Sequence, residues 1–82
     1  MSTEHDVTET LDVTGLSCPM PVVQTKQAVD ELAPGTVLEV VATDPGSVSD
    51  IDGWASTTPG VTLLDQVEDG EQFTHYIRAE EV

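Results

Sequence analysis

Two different periods of apolar residues predict the elements in the first half of the chain. Apolar and polar residues alternate over residues 7–13, which is typical of a half-buried strand. From residue 19 to residue 32 the spacing becomes that of a helix, with a buried stripe formed by Val22, Thr25, Ala28, Val29 and Leu32. Gly15 ends the strand, and Ala33-Pro34-Gly35 ends the helix because proline cannot continue it.

The second half of the chain predicts a strand, a helix and a hairpin. Residues 36–43 are rich in valine and alternate around Glu39, so they predict a second strand. Asp44 can cap a second helix, and Pro45 suits its first position; the apolar stripe of this helix is Val48, Ile51 and Trp54 or Ala55. Two more strands, at residues 61–67 and 73–79, flank Asp69-Gly70, which is a strong hairpin signal.

The element order is therefore β-α-β-α-β-β, which predicts a single domain over residues 7–82. Two helices cannot cover both faces of a four-stranded sheet well, so we expect both on one face. Residues 1–6 are polar and acidic, and we expect them to form a flexible tail.

The composition limits the classes of protein to consider. The chain has 82 residues, of which 38% are apolar, so its core is thin. No apolar stretch reaches the roughly 18 residues of a membrane span, and the acidic start is no signal peptide. A single cysteine excludes an intrachain disulfide framework and a cysteine-pair zinc site. We therefore expect a cytoplasmic protein that binds neither metal nor membrane.

Acidic residues dominate the charge of the chain. Sixteen acids and two bases, Lys26 and Arg78, give a formal net charge of -14. This charge repels phosphate backbones, so we expect no direct binding of nucleic acid. Adaptation to molar salt explains such a surface, because the screening length there falls to about 3 Å. The alternative is an acidic face for a basic partner, and the composition favours salt adaptation.

The segment Gly15-Leu16-Ser17-Cys18-Pro19-Met20-Pro21 is the one place arranged for a reaction. Pro19 disfavours a helical conformation at Cys18, which makes Cys18 the expected capping residue of the first helix. Since prolines have no N–H, Met20 and Val22 hold the nearest free backbone donors. These donors and the positive end of the helix are expected to stabilise a thiolate or persulfide anion on Cys18.

A structural role for Cys18 is the alternative, because a single cysteine is most often a small buried hydrophobic residue. That interpretation explains neither the two prolines nor the position at a helix start. The turn between the first strand and the first helix is, in contrast, a place where α/β folds expose reactive groups. The residues therefore favour a reactive thiol, with the structural role left open.

Residues 11–21, with a Gly-Leu pair before a Cys-Pro-x-Pro motif, resemble the start of the TusA-like (SirA-like) sulfur-carrier family. The resemblance extends over residues 7 to 80 and includes the element order and the Asp44-Pro45 opening of the second helix. It implies an α/β (α+β) two-layer sandwich with a four-stranded mixed sheet. It also implies a carrier that holds sulfur as a persulfide on the motif cysteine, here Cys18.

The resemblance further implies sulfur-relay partners. Family members accept sulfur from a cysteine desulfurase or a rhodanese-type enzyme and pass it to an acceptor protein, on routes to tRNA thiolation, to molybdenum cofactor or in sulfur oxidation. Several carriers have a basic residue before the cysteine and an acidic one between the prolines, where this chain has Ser17 and Met20. Some have a second cysteine near the position of Trp54, so this chain lacks an internal resolving thiol.

The remaining polar and aromatic residues have mostly structural explanations. Lys26 is a candidate docking residue, but it lies about 10 Å along the helix from the thiol, and a solvated surface lysine explains it equally well. His5 and His75 with Cys18 match no zinc spacing, and His75 is expected to pack against the sheet. Trp54 is expected to fill the core or the edge of its helix.

The sequence therefore predicts a sulfur carrier with Cys18 as its persulfide-carrying residue. Pro19 and Pro21 are expected to fix the turn, Met20 and Val22 to supply backbone donors, and no cofactor is expected. Such a chain is a covalent shuttle, sulfurtransferase-like but no stand-alone enzyme, because it lacks residues that activate a substrate. The alternative is a non-catalytic regulatory or adaptor module in which Cys18 is a redox-sensing or structural residue.

Overall fold

The structure is a computed structural model that describes residues 7–17 and 19–80. Its elements are β1 (Glu9–Val13), α1 (Met20–Asp30), β2 (Val37–Ala42), α2 (Gly46–Thr57), β3 (Val61–Asp69) and β4 (Gln72–Ala79). The predicted order β-α-β-α-β-β is confirmed. The expected acidic tail at residues 1–6, with His5, lies outside the described residues, as do Cys18 and the last two residues.

The four strands form one mixed sheet in the order β1-β2-β4-β3. Strand β1 pairs with β2 in parallel, whereas β4 is antiparallel to both β2 and β3. The first three strands therefore point the same way. Because each helix follows one of them and returns along the sheet, α1 and α2 both begin at the carboxyl edge of these strands.

Both helices pack on the same face of the sheet, which confirms the two-layer arrangement. The central strands supply the apolar floor of the core: Leu38, Val40, Ala42, Ile77 and Ala79. The predicted stripe of α1 is buried through Thr25 and Val29, and that of α2 through Ile51 and Ala55. Trp54 packs against the margin of this core, as the sequence predicted.

The β3–β4 hairpin differs in detail from the prediction. The strands extend further than expected, to Asp69 and from Gln72, so only Gly70 and Glu71 connect them. Gly70 has a φ of +64°, a conformation that glycine adopts without steric cost. Glu68 and Asp69 were expected in the loop because they are charged, but they lie in β3. Polar side chains on the solvent side of a hairpin do not prevent strand pairing.

An irregularity in β3 sets which side chains face the helices. The pairing of β3 with β4 shifts register between Leu63 and Asp65. Strict alternation from Val61 would turn Gln66 away from the core, but the extra residue reverses the faces. Gln66 therefore lies on the inner face, opposite His75.

Candidate functional site

The turn after β1 is shaped by a carboxylate at the end of the strand. One oxygen of Asp12 accepts hydrogen bonds from the hydroxyl of Thr14 at 2.7 Å and from its backbone N–H at 2.9 Å. These two hydrogen bonds, the side-chain one first, hold the pKa of Asp12 below its usual value. The ionised carboxylate thus holds the first residue of the turn that leads to the motif.

Glycine at position 15 lets the chain turn back toward β2. Gly15 has a φ of +82°, which side-chain-bearing residues rarely adopt. Its N–H donates to the hydroxyl of Thr43 at 2.8 Å, and the N–H of Leu16 donates to the carbonyl of Val13 at 3.2 Å. The segment before the cysteine is therefore tied to the ends of two neighbouring strands.

The start of α1 corrects two expectations about backbone donors. The helix begins at Met20 with Pro19 as its capping residue, so Cys18 precedes the cap by one position instead of being it. The N–H of Met20 is not a free donor, because it donates to the carbonyl of Ser17 at 2.8 Å. This hydrogen bond joins Ser17 to Met20, and the expectation that Val22 supplies a donor stays a prediction.

Pro21 has a structural role that its lack of an N–H did not reveal. Its side chain is fully buried, and its carbonyl accepts a hydrogen bond of 2.7 Å from the buried hydroxyl of Thr25. A buried hydroxyl without a partner would be destabilising. Pro21 therefore anchors the first turn of α1 in the core and satisfies the polar group one turn further on.

The described neighbours of Cys18 are open to solvent. Ser17 and Pro19 are both exposed, and so are Leu16 and Met20. The first turn of α1 contains no acidic residue, although acids make up sixteen of the 82 residues. The helix dipole therefore acts at this end without an opposing carboxylate in that turn. Cys18 itself lies outside the described residues.

Lys26 lies away from the start of α1. It is exposed two turns into the helix, about 9 Å along the axis from Met20. It lines a cleft of about 220 Å³ whose other walls include Trp54 and Pro59. The structure therefore does not bring the lysine together with the motif turn.

A buried polar network under α2 was not predicted. His75 is fully buried, as its position in the strand indicated, and both of its ring nitrogens have partners. The side-chain amide of Gln66 donates to Nδ1 at 3.0 Å and to the carbonyl of Val48 at 2.9 Å. Because Nδ1 accepts, the ring proton is on Nε2 and donates to the hydroxyl of Ser47 at 3.1 Å.

His75 is neutral within this network. Burial lowers the pKa of His75 to about 4, because the charged form loses its hydration. The signal available in the sequence was a histidine in the inward register of a strand, which requires hydrogen-bond partners. The identity of those partners depended on the register shift in β3. The network explains His75 as a structural residue.

Within residues 7–17 and 19–80, no three histidine, cysteine or acidic side chains gather closely enough to hold a metal ion. Neither helix in this part of the chain is long and apolar enough to cross a membrane.

Comparison with known protein families gives a match over nearly the whole chain. The family described as Sulfurtransferase TusA matches residues 9–79, which include the motif turn and all six elements. The chain is a sulfur carrier protein of the TusA family.

Individual members of the TusA family agree with this assignment. A candidate sulfur carrier protein of Halobacterium salinarum is 64% identical over 95% of this chain and 96% of its own. The sulfur carrier protein TusA of Allochromatium vinosum is 41% identical over 89% of this chain and 95% of its own. The crystal structure of the SirA-like protein from Desulfitobacterium hafniense matches with a TM-score of 0.75 and 28% identity, covering 89% of this chain and 99% of the other.

Proposed function

We propose that Cys18 carries sulfur as a persulfide between a donor enzyme and an acceptor protein. The single observation that carries this proposal is the turn around position 18 in a member of the TusA family. Its described neighbours Ser17 and Pro19 are exposed, the N–H of Met20 donates to the carbonyl of Ser17 at 2.8 Å, and the helix turn that follows has no acidic residue.

The reaction is a transfer of sulfane sulfur between thiols. The Cys18 thiolate attacks the terminal sulfur of a donor persulfide, the sulfur–sulfur bond of the donor breaks, and the donor leaves as a thiolate. The new bond makes a persulfide on Cys18. A thiolate of the acceptor then attacks the terminal sulfur in the same way and regenerates the Cys18 thiolate. No external oxidant is consumed, and no cofactor takes part.

The residues around Cys18 have separate roles in this proposal. Pro19 and Pro21 hold the turn, the latter through its burial, so little conformational entropy is lost on docking. Of the two backbone donors that the sequence predicted, we propose Val22, since the N–H of Met20 donates to the carbonyl of Ser17. The dipole of α1 adds stabilisation of the anion.

Intact-mass spectrometry after incubation with a sulfur donor tests the proposal. Loading with inorganic polysulfide, or with a cysteine desulfurase and cysteine, is expected to add the mass of one sulfur atom. A reducing agent is expected to remove it, and Cys18→Ser to prevent it. Ser17→Ala is the matched control, since it changes a neighbouring exposed residue and leaves the thiol in place; it should load normally.

A protein that gains no labile sulfur from any donor would contradict the proposal. The chain would then be an adaptor that retains the fold, with Cys18 as a redox-sensing or structural residue. Labile sulfur that persists in Cys18→Ser would also contradict it, because Cys18 is the one cysteine in the sequence.

The partners and the compartment follow from the proposed relay. The donor is a cysteine desulfurase or a rhodanese-type enzyme, and the acceptor belongs to a sulfur-relay route such as tRNA thiolation or molybdenum cofactor synthesis. A cytoplasmic location fits a thiolate carrier that must stay reduced. The chain acts as a covalent carrier in the sulfurtransferase class and relies on its partners for substrate activation.

We also propose that the acidity is an adaptation to high salt. The sequence has sixteen acidic side chains and two cationic ones. One of the two cations, Arg78, is paired with Glu80 at 2.8 Å. Most of the acids therefore repel one another at low ionic strength, and concentrated salt screens that repulsion.

A folding titration against KCl, followed by circular dichroism, tests this second proposal. The folded fraction is expected to rise with KCl, whereas sucrose of equal osmolality, which does not screen charge, is expected to have a smaller effect. A chain that is fully folded without salt would contradict it and favour a basic partner as the explanation of the acidity.

A further inference from the structure

A side chain from a different loop holds the segment that leads into the motif. The N–H of Gly15 donates to the hydroxyl of Thr43 at 2.8 Å. Gly15 lies three residues before Cys18 in the sequence, whereas Thr43 directly follows β2. Because β1 and β2 are parallel neighbours, their carboxyl ends lie side by side. This hydrogen bond therefore joins the two loops that follow these strands.

Two other hydrogen bonds of the same segment are local. The N–H and hydroxyl of Thr14 donate to the carboxylate of Asp12, and the N–H of Leu16 donates to the carbonyl of Val13. Hydrogen bonds between residues two or three positions apart shape a turn, but they do not fix its position relative to another strand. The hydroxyl of Thr43 makes a contact that does.

The Gly15–Thr43 hydrogen bond contributes little to the stability of the whole fold. Gly15 is exposed and Thr43 is half-buried, so water can take the place of the hydroxyl when the side chain is changed. The net contribution of such a hydrogen bond is small, because hydrogen bonds to water are lost when it forms. Its effect is therefore mainly on the local position of the chain before Cys18.

The motif segment has a fixed point on either side. On the amino side, Thr43 holds Gly15; on the carboxyl side, the side chain of Pro21 is fully buried. Residues 16–20 connect these two points. Loss of either point lets the segment move relative to the start of α1. The favourable effect of a helix end on an anion falls off within one turn, so a small displacement weakens it.

We propose that Thr43 is a positioning residue for sulfur transfer at Cys18. Its hydroxyl holds Gly15, and through Gly15 it keeps the motif segment beside the start of α1, where a thiolate or persulfide anion is stabilised. Thr43 itself contacts neither sulfur donor nor acceptor in this proposal. The inference rests on the proposed function of Cys18 and adds to it a residue outside the Cys-Pro-x-Pro motif.

The variants for the test remove the hydroxyl and keep the size of the side chain. Thr43→Val removes the acceptor and retains a branched side chain, whereas Thr43→Ser restores the hydroxyl. Thr36→Val is the matched control, because Thr36 directly precedes β2 and lies at the opposite edge of the sheet. The hydroxyl of Thr36 also makes one hydrogen bond, to the carbonyl of Ala33 at 2.7 Å.

Three measurements at fixed KCl separate positioning from stability. The first is the rate of alkylation by iodoacetamide from pH 6 to pH 10, and the second is sulfur loading from inorganic polysulfide at pH 7, followed by intact mass. The third is the exchange rate of the Gly15 amide by NMR, which reports whether its hydrogen bond is kept. The acidic side chains at this edge of the sheet, Asp12 and Asp44, belong to a class that titrates below this pH range. The pKa of His75 is about 4, so the alkylation profile reports the Cys18 thiol.

The expected result is a raised pKa of the Cys18 thiol in Thr43→Val. Alkylation and polysulfide loading at pH 7 should both slow about threefold, and the alkylation rates should converge with those of the wild type above pH 9. Exchange of the Gly15 amide should become several-fold faster. Thr43→Ser and Thr36→Val should match the wild type, and the urea midpoint of Thr43→Val should stay close to that of Thr36→Val.

Each other outcome contradicts a definite statement. A Thr43→Val profile that coincides with that of the wild type would overturn the inference, and so would a Thr43→Ser variant that behaves like Thr43→Val. An equal shift in Thr36→Val, or loss of folding in Thr43→Val alone, would overturn it in favour of a structural role. A wild type that polysulfide cannot load contradicts the proposed function itself. The alkylation profile then still decides whether Thr43 positions the thiol, so the two failures are distinguishable.

Discussion

A turn closed by a backbone hydrogen bond lies at the start of each helix, but the two residues that donate these hydrogen bonds have opposite environments. The N–H of Met20 donates to the carbonyl of Ser17 at 2.8 Å, and the N–H of Ser47 donates to the carbonyl of Asp44 at 2.9 Å. Met20 is 40% exposed, whereas Ser47 is 1% exposed. The same kind of backbone hydrogen bond therefore occurs at both helix starts, with an exposed donor residue at α1 and a buried donor residue at α2.

The difference lies in what each helix start contacts within the protein. At α2 the carboxylate of Asp44 accepts a hydrogen bond from the N–H of Gly46 at 3.3 Å, and the hydroxyl of Ser47 pairs with His75. At α1 none of the described side chains forms a capping hydrogen bond, and the first turn holds no acid. The second helix start is therefore stabilised by polar side chains of its own chain, whereas the first is anchored by the buried side chain of Pro21.

The largest effect is expected from removing the histidine that closes the α2 start. His75→Ala should lower the free energy of unfolding by about 3 kcal/mol, since it creates a cavity and leaves the side chains of Ser47 and Gln66 without a partner. Urea denaturation at fixed KCl measures this change. Thr74→Ala, one position away on the other face of β4, is the control and should cost less than about 1 kcal/mol. Equal losses would show that the network contributes little.

The same histidine predicts a dependence of stability on pH. The pKa of His75 is lowered from 6.5 to about 4 in the folded state, so the unfolded chain binds its proton more tightly. Stability is fully present above pH 6.5 and is lost as the pH falls from 6.5 to 4, by up to about 3 kcal/mol. Protonation of carboxylates overlaps with this range, and Glu68 lines the same cavity as His75. The test is therefore the difference between wild type and His75→Gln, which should lose this slope.

A smaller effect is expected at the cap of α2. Asp44→Ala removes the carboxylate that bonds Gly46 and should lower the free energy of unfolding by about 1 kcal/mol. Ser17→Ala is the comparison change, because the carbonyl of Ser17 accepts the turn hydrogen bond at the start of α1 as that of Asp44 does at α2, and it should alter stability by less than about 0.5 kcal/mol. Thermal or urea unfolding of both variants measures the contrast. Equal costs would remove the distinction between the two helix starts.

The smallest effect concerns the electrostatics of the α1 start. Met20→Glu places a carboxylate in its first turn and should raise the pKa of the Cys18 thiol. The rate of alkylation by iodoacetamide at neutral pH should therefore fall about threefold, because a charge in the first helical turn contributes well under 1 kcal/mol at high salt. Ser49→Glu, exposed in the first turn of α2, is the control. A Met20→Glu variant that reacts as fast as the wild type would show that the dipole is unimportant.

Local sequence signals predicted most of the fold because each element has its own pattern. The alternation around Glu39 and the stripe of α1 lie within single elements, and the structure confirms them. The start of α2 lies one residue later than predicted, because Pro45 is the capping residue and the helix begins at Gly46. The ends of the hairpin were wrong because charged residues such as Glu68 and Asp69 pair in a solvent-facing hairpin as well as in a loop.

The parts that could not be predicted depend on contacts between distant residues. The hydrogen bond from Gly15 to Thr43 joins the ends of two strands, and the Ser47–His75–Gln66 network depends on a register shift that no local pattern encodes. The donor at Met20 was misassigned because its partner, the carbonyl of Ser17, belongs to a turn whose closure the prolines alone do not specify.

The position of β4 has a consequence for how the chain folds during its synthesis. This strand is the last element in chain order, yet it lies inside the sheet, between β2 and β3. Until residues 72–79 have left the ribosome, β2 and β3 have no partner on the sides that β4 will join, and the nascent sheet is interrupted. Such long-range closure is slow compared with helix formation, so we expect both helices to form before the sheet is complete.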